Sequence, residues 1–145
     1  MRYCLLAGLS FLSAFNVQSK TLFGDVRLTE VQPSLGQVVW VPNPEYKPLY
    51  PISLARKGTA GCAIFKVTVN ARGNTESVEL LYSAPSKSLS RPGKKILSKW
   101  PWSTAQGTAA QAEEKTVRLD FCLGGQSVDE AQALCKAQAA LSCEA

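Results

Sequence analysis

The run Gly61-Cys62-Ala63-Ile64-Phe65-Lys66-Val67-Thr68-Val69 decides the fold class. Its strict alternation sets Ala63, Phe65, Val67 and Val69 on one side of an extended chain, and Cys62, Ile64, Lys66 and Thr68 on the other. That is the period of a strand with one face buried. Asn70-Ala71-Arg72-Gly73-Asn74 follows as a turn in which Gly73 supplies the permissive backbone. Residues 75–83 form a second expected strand, ended by Ala84-Pro85-Ser86.

Working outward towards the N-terminus, Pro51 to Gly58 reads as one short helix, since proline suits a first turn and Gly58 suits a left-handed cap. Residues 42–48 hold three prolines and read as an extended connector, roughly 22 Å long at ~3.1 Å per residue. Two strand-like runs, 26–31 and 37–41, flank Gln32-Pro33-Ser34-Leu35-Gly36 and are expected to pair as a hairpin.

Towards the C-terminus, Ser90 is the expected cap of a helix reaching Trp100, with Leu89, Ile96, Leu97 and Trp100 inward and Arg91, Lys95 and Lys99 outward. Pro101 stops that helix, and residues 103–114 read as a polar loop. A third strand carries Val117, Leu119, Phe121 and Leu123 on one face before Gly124-Gly125 breaks it. Ser127 and Glu130 open an Ala- and Gln-rich helix that runs to about Leu141.

The first residues have the pattern of an export leader. Arg2 precedes an apolar run of about 15 residues, which as a helix reaches only about 22 Å, short of the ~30 Å hydrocarbon core. Cleavage is expected after Ser19, with Ala14 as the alternative, and no stable membrane span is expected. Removing residues 1–19 deletes Cys4 and leaves Cys62, Cys122, Cys135 and Cys143, an even set that reads as disulfides in an oxidising compartment. Cys62 opens the first core strand and Cys122 closes the third, where antiparallel ends meet, so Cys62–Cys122 with Cys135–Cys143 across a helix end is the favoured pairing. Three connectivities remain open.

The chain has 145 residues, a formal charge of +5 and no histidine. The missing histidine excludes His-liganded zinc and the Ser–His and Cys–His hydrolytic sites. Glu113, Glu114 and Asp120 make no paired-carboxylate pattern, and no Gly-x-Ser-x-Gly elbow occurs. The expectation is a non-enzyme with no cofactor and no metal. The basic residues Lys87, Arg91, Lys94, Lys95 and Lys99 have the charge to attract acidic lipid, lipopolysaccharide or nucleic acid, but read first as a solvated helix face, and export argues against nucleic acid as a partner.

From Tyr50 to Leu123 the order of elements resembles the C-terminal domain of TonB, the periplasmic energy transducer of Gram-negative bacteria. The residues that carry the resemblance are Tyr50-Pro51, Ala55, Gly58, Gly61 and the alternating strand, then Gly73, Ser83-Ala84-Pro85, Leu89, Trp100-Pro101-Trp102, Gly107 and the strand ending at Leu123. TonB itself keeps its N-terminal helix in the inner membrane, with a functional histidine in it, followed by a long Pro-rich spacer. This chain departs in both respects, and its extra cysteines and last helix lie outside the family pattern.

The resemblance implies an α+β fold, a three-stranded antiparallel sheet with helices packed on one face. It is divided into a leader at 1–19, an extension at 20–49, the TonB-like domain at 50–124 and a C-terminal helix at 125–145. It also implies binding by strand addition to a sheet edge, where unpaired backbone groups accept an extended segment of an outer-membrane receptor or another envelope protein. The last strand, Lys115–Leu123, is the candidate edge, with Lys47–Pro51 beside it; the alternative is that Tyr50-Pro51 only fixes entry into the first helix and that residues 20–41 cover the edge. The partner-binding candidates are therefore Tyr50, Pro51, Lys115, Thr116, Val117, Arg118, Leu119 and Asp120. The expected location is the periplasm, and such an edge also admits a homodimer. The alternative is a disulfide-stapled structural or assembly component of the envelope without a role in energy transduction.

Overall fold

A computed structural model of the chain describes residues 21–31 and 37–143. The expected leader and the expected turn at 32–36 lie outside the described residues. The main sheet contains β1 (Gly24–Glu30), β3 (Gly61–Val69), β4 (Thr75–Ala84) and β6 (Glu113–Leu123), in the order β1-β6-β3-β4 with every neighbour antiparallel. Two three-residue strands, β2 (Trp40–Pro42) and β5 (Trp102–Thr104), form a second small sheet.

The alternating residues build the core. Phe65, Val67 and Val69 of β3 lie beside Val117, Leu119 and Phe121 of β6, all with no exposed surface. Val26 and Leu28 of β1 extend the same face, opposite Phe121 and Leu119. Over it pack Leu54 of α1 (Ile52–Ala55), Leu89 from a 3-10 turn at Lys87–Leu89, Ile96 and Leu97 of α2 (Ser90–Leu97), and Trp100. The α2 backbone comes close because residue 93 is glycine: a Cβ there would sit 2.3 Å from the Phe65 ring.

Several expectations are corrected. The runs at 26–31 and 37–41 do not form a hairpin; β1 pairs with β6, because that register buries Val26 and Leu28 beside β6's apolar side chains. β2 turns away to β5, anchored by the Trp40 indole N–H donating to the Gln111 carbonyl. The sheet thus has four strands, and β5 forms at the start of what reads as a loop. Ser86, not Ser90, accepts the capping bond, so the helical segment starts earlier, and α2 proper ends at Leu97 rather than Trp100.

The helices also occupy both faces of the sheet. α3 (Val128–Ala139) packs on β1 and β6 across the face that carries Arg118, Asp120 and Cys122. The disulfides are Cys62–Cys143 and Cys122–Cys135, with Cα separations of 5.8 and 5.2 Å, within the usual range for a bridge. The expected pairing fails because the residue opposite Cys62 is Asp120, leaving Cys122 on a diagonal. α3 then brings Cys135 onto Cys122 and the following chain onto Cys62.

Gly93→Ala should be destabilising although alanine favours a helix, because the added methyl must displace Phe65 or α2. The expected loss is about 1–3 kcal/mol, read as a lower urea midpoint with an unchanged slope.

Candidate partner-binding edge

The expected site residues are brought together around β6, but β6 is not an edge. Its backbone is paired on one side with β3 and on the other with β1, in an unbroken register from Gly24↔Leu123 to Glu30↔Val117. This corrects the expected edge at Lys115, Thr116, Val117, Arg118, Leu119 and Asp120: an incoming strand finds those positions already occupied by β1. The Thr116 carbonyl even accepts from Val31 just beyond β1, at 3.0 Å.

The side chains of β6 divide by face. Val117 and Leu119 lie in the core, and Lys115 is also on that side, 5% exposed. Its ammonium sits between Glu30 of β1 at 3.5 Å and Glu113 at 3.4 Å. The second Glu113 oxygen accepts from the backbone N–H of Trp40 at 2.7 Å and Val39 at 3.3 Å. One carboxylate therefore ties the β2 segment to β6, while Lys115 ties β6 to β1.

On the opposite face Asp120 is wholly enclosed. Its Oδ1 accepts from Arg118 Nη2 at 2.7 Å and from the Gln138 amide at 2.9 Å. Arg118 also donates to the carbonyls of Leu141 at 2.6 Å and Gln138 at 3.1 Å. A cation thereby meets the carbonyl end of α3, where the helix dipole favours positive charge. These contacts fasten α3 over the sheet.

Tyr50 and Pro51 lie at the same end of β1. Tyr50 packs against Gly24, where a Cβ would fall 2.6 Å from the ring, and meets Phe121 edge-to-face at 6.4 Å. Its hydroxyl donates to the Thr59 carbonyl, and burial pushes its pKa up from 10.0 to about 12. Pro51 precedes α1 in extended backbone and accepts from the N–H groups of Leu54 and Ala55.

With β6 enclosed, the outer edges of the sheet are β1 and β4. β4 is blunted: its register with β3 shifts between Ile64 and Phe65, leaving Leu81 as an extra residue, and it carries Glu76 and Glu79. A bulge and charges are common protections of an edge. β1 has no bulge. Its flanking bonds, Gly124 N–H to Phe23 and Val31 N–H to Thr116, fix the odd-numbered residues as those bonded to β6. The N–H and C=O groups of Val26 and Leu28 therefore point outward and have no backbone partner among the described residues.

That outward edge borders a groove of about 180 Å³, formed by residues 25–28, the connector from Pro42 to Lys47, and Trp100. Tyr46 stacks edge-to-face on Trp100 at 5.0 Å, and the buried Trp100 indole N–H has no acceptor among the described residues. The volume is below that of usual small-molecule sites, but it accommodates a side chain of a strand laid along β1. Sequence reasoning missed this edge. Its signal was the Val26/Leu28 alternation followed by a proline connector.

The family model described as Gram-negative bacterial TonB protein C-terminal matches residues 46–123. The solution NMR structure of the Pseudomonas aeruginosa TonB CTD is similar to the chain, with 18% identity over 64% of this chain and 93% of that one, at a TM-score of 0.44. No curated protein matches the chain.

Two measurements check the side-chain network. Asp120→Ala leaves the Arg118 charge buried without its carboxylate and should cost about 3–5 kcal/mol, while Arg118→Met/Asp120→Leu together should cost much less; equal losses in urea unfolding would contradict the pairing. The stability supplied by the neutral Tyr50 phenol is complete below pH 10 and falls as pH rises towards about 12. Tyr50→Phe should flatten that alkaline decline in a series of thermal melts.

Proposed function

Because the chain belongs to the TonB C-terminal domain family, whose model matches more than half of it, we propose that it is a periplasmic binding module that engages an outer-membrane receptor or another envelope protein by strand addition. The observation that carries the proposal is the unbroken outer edge of β1 beside the groove with Trp100. An extended partner segment pairs with the backbone of Val26 and Leu28, and alternate side chains enter the groove against Tyr46 and Trp100. Arg27 and Lys47 line that groove with Asp25, which favours an acidic residue in the partner.

In this reading Lys115, Thr116, Val117, Arg118, Leu119 and Asp120 act beneath the site. They hold β1 in register, as Tyr50 does at Gly24, instead of touching the partner. Two disulfides support an oxidising compartment, as does the expected leader. Among the described residues no helix is long and apolar enough to cross a membrane. A second reading, a stapled assembly component without energy transduction, is favoured by β1 lying over β6.

The register gives a sharp test. Leu28→Pro removes an outward N–H and spares the β1–β6 ladder, whereas Leu28→Ala removes only packing. With a photo-crosslinking residue at exposed Arg27 in the native envelope, an adduct to an outer-membrane receptor or another envelope protein should form, survive Leu28→Ala and drop at least tenfold with Leu28→Pro. An adduct indifferent to the proline would overturn strand addition at β1. Loss of the adduct when the proton gradient is collapsed separates energy-dependent uptake from the assembly reading.

A further inference from the structure

The charges of this chain are segregated. Residues 80–112 contain Lys87, Arg91, Lys94, Lys95 and Lys99 and no Asp or Glu, so all 11 acidic residues lie elsewhere. All five cations are exposed, on the side of α2 away from buried Gly93, Ile96 and Leu97. None makes an ion pair among the described residues; the ion pairs there belong to Lys66, Lys115 and Arg118.

Helix stability explains only part of the arrangement: Lys94 and Lys95 lie in the last turn of α2, where the helix dipole favours cations, but the other three have no such support. The first turn of α2 has no acidic residue and instead carries Arg91, with Lys87 just before it, at the positive end of the helix dipole. Arg91, Lys95 and Lys99 follow at spacings of four, where like charges repel. A face selected only for solubility mixes both signs, as α3 does with Asp129 and Glu130 in its first turn and Lys136 in its last.

We propose that this face of α2 is a docking surface for a membrane bearing anionic phosphate headgroups. The three cations on α2 itself, Arg91, Lys94 and Lys95, span about 6 Å at ~1.5 Å per residue, with Lys87 in the turn before the helix and Lys99 just after it. No exposed apolar side chain lies between Lys87 and Lys99. A specific protein interface is built around apolar and aromatic anchors with charges at its rim, and this face has no such centre. Five exposed cations without an apolar anchor suit a planar, diffuse anion, to which each contributes independently. The inference stands apart from the β1 groove, although Lys99 adjoins Trp100 in the groove wall.

The test uses the full chain with its disulfides intact and co-sedimentation with two kinds of vesicle, phosphatidylcholine with phosphatidylglycerol and phosphatidylcholine alone. Binding is expected only to the anionic vesicles and is abolished by about 0.5 M salt. Arg91→Gln/Lys95→Gln should reduce partitioning about 25-fold, roughly fivefold per cation, and Lys57→Gln/Lys136→Gln less than twofold each. The α2 variant should unfold at about the temperature of the parent chain, because the like-charge repulsion relieved between Arg91 and Lys95 offsets the dipole interaction lost at Lys95, so lost binding is not lost folding. Equal effects of the two double variants, binding to neutral vesicles, or no sedimentation at low salt would overturn the proposal. Tighter binding to a soluble polyglutamate than to the anionic vesicles would overturn it in favour of an acidic protein partner.

Discussion

The full enclosure of Asp120 is the constraint on which the arrangement of α3 depends. A buried carboxylate is costly unless it meets donors; Arg118 and Gln138 supply them to Oδ1, while Oδ2 has none among the described residues. Arg118 is then positioned to receive the carbonyls at the end of α3, and Gln138 reaches on to the Gly61 carbonyl of β3. One acidic residue in the middle of β6 thus sets where α3 ends and how it crosses the sheet. The two disulfides reinforce that placement covalently, one under the middle of the helix and one beyond its end.

The core face of β6 uses charge differently. Lys115 is buried between carboxylates that belong to two separate parts of the chain, Glu30 on β1 and Glu113, which holds the β2 segment. The two segments that border the groove, β1 and the connector after β2, are therefore anchored to the same lysine-centred cluster. Trp40, packed on Gly73 at the β3–β4 turn, and Trp102, bonded to Thr75, complete the support on the far side. The groove bordered by this edge strand and proline connector has its shape set by these contacts.

Much of this was legible from residue pattern, and the rest was hidden for identifiable reasons. β3, its turn and β4 follow from alternation and from Gly73, which are local properties. The capping pair of Ser127 and Glu130 marks the start of α3 in the same way, with the Ser127 hydroxyl accepting from the Glu130 N–H. What pattern does not report is which strand a strand pairs with. Val26 and Leu28 alternate as clearly as Val117 and Leu119 do, yet nothing local says that their partner lies some ninety positions later. The same blindness misplaced the open edge and the cysteine pairs. Both depend on the position of α3 and β1, and that position rests on Arg118, Asp120 and Lys115, whose charges read as surface residues on a strand.

The bridge between Cys62 and Cys143 closes a separation of 81 residues, and this has a consequence for how the molecule is made. A chain synthesised from its N-terminus presents Cys62 and Cys122 before either of their native partners exists. Of the four bridged cysteines, the first pair to be made is therefore a non-native one, and the register places those two residues only a diagonal apart on the same face. Correct oxidation therefore waits for the final helix, whose arrival both supplies the missing thiols and covers the mispairing site. The segment that carries Cys135 and Cys143, made after both of their partners, acts as the proofreading step for a crosslink begun near Cys62.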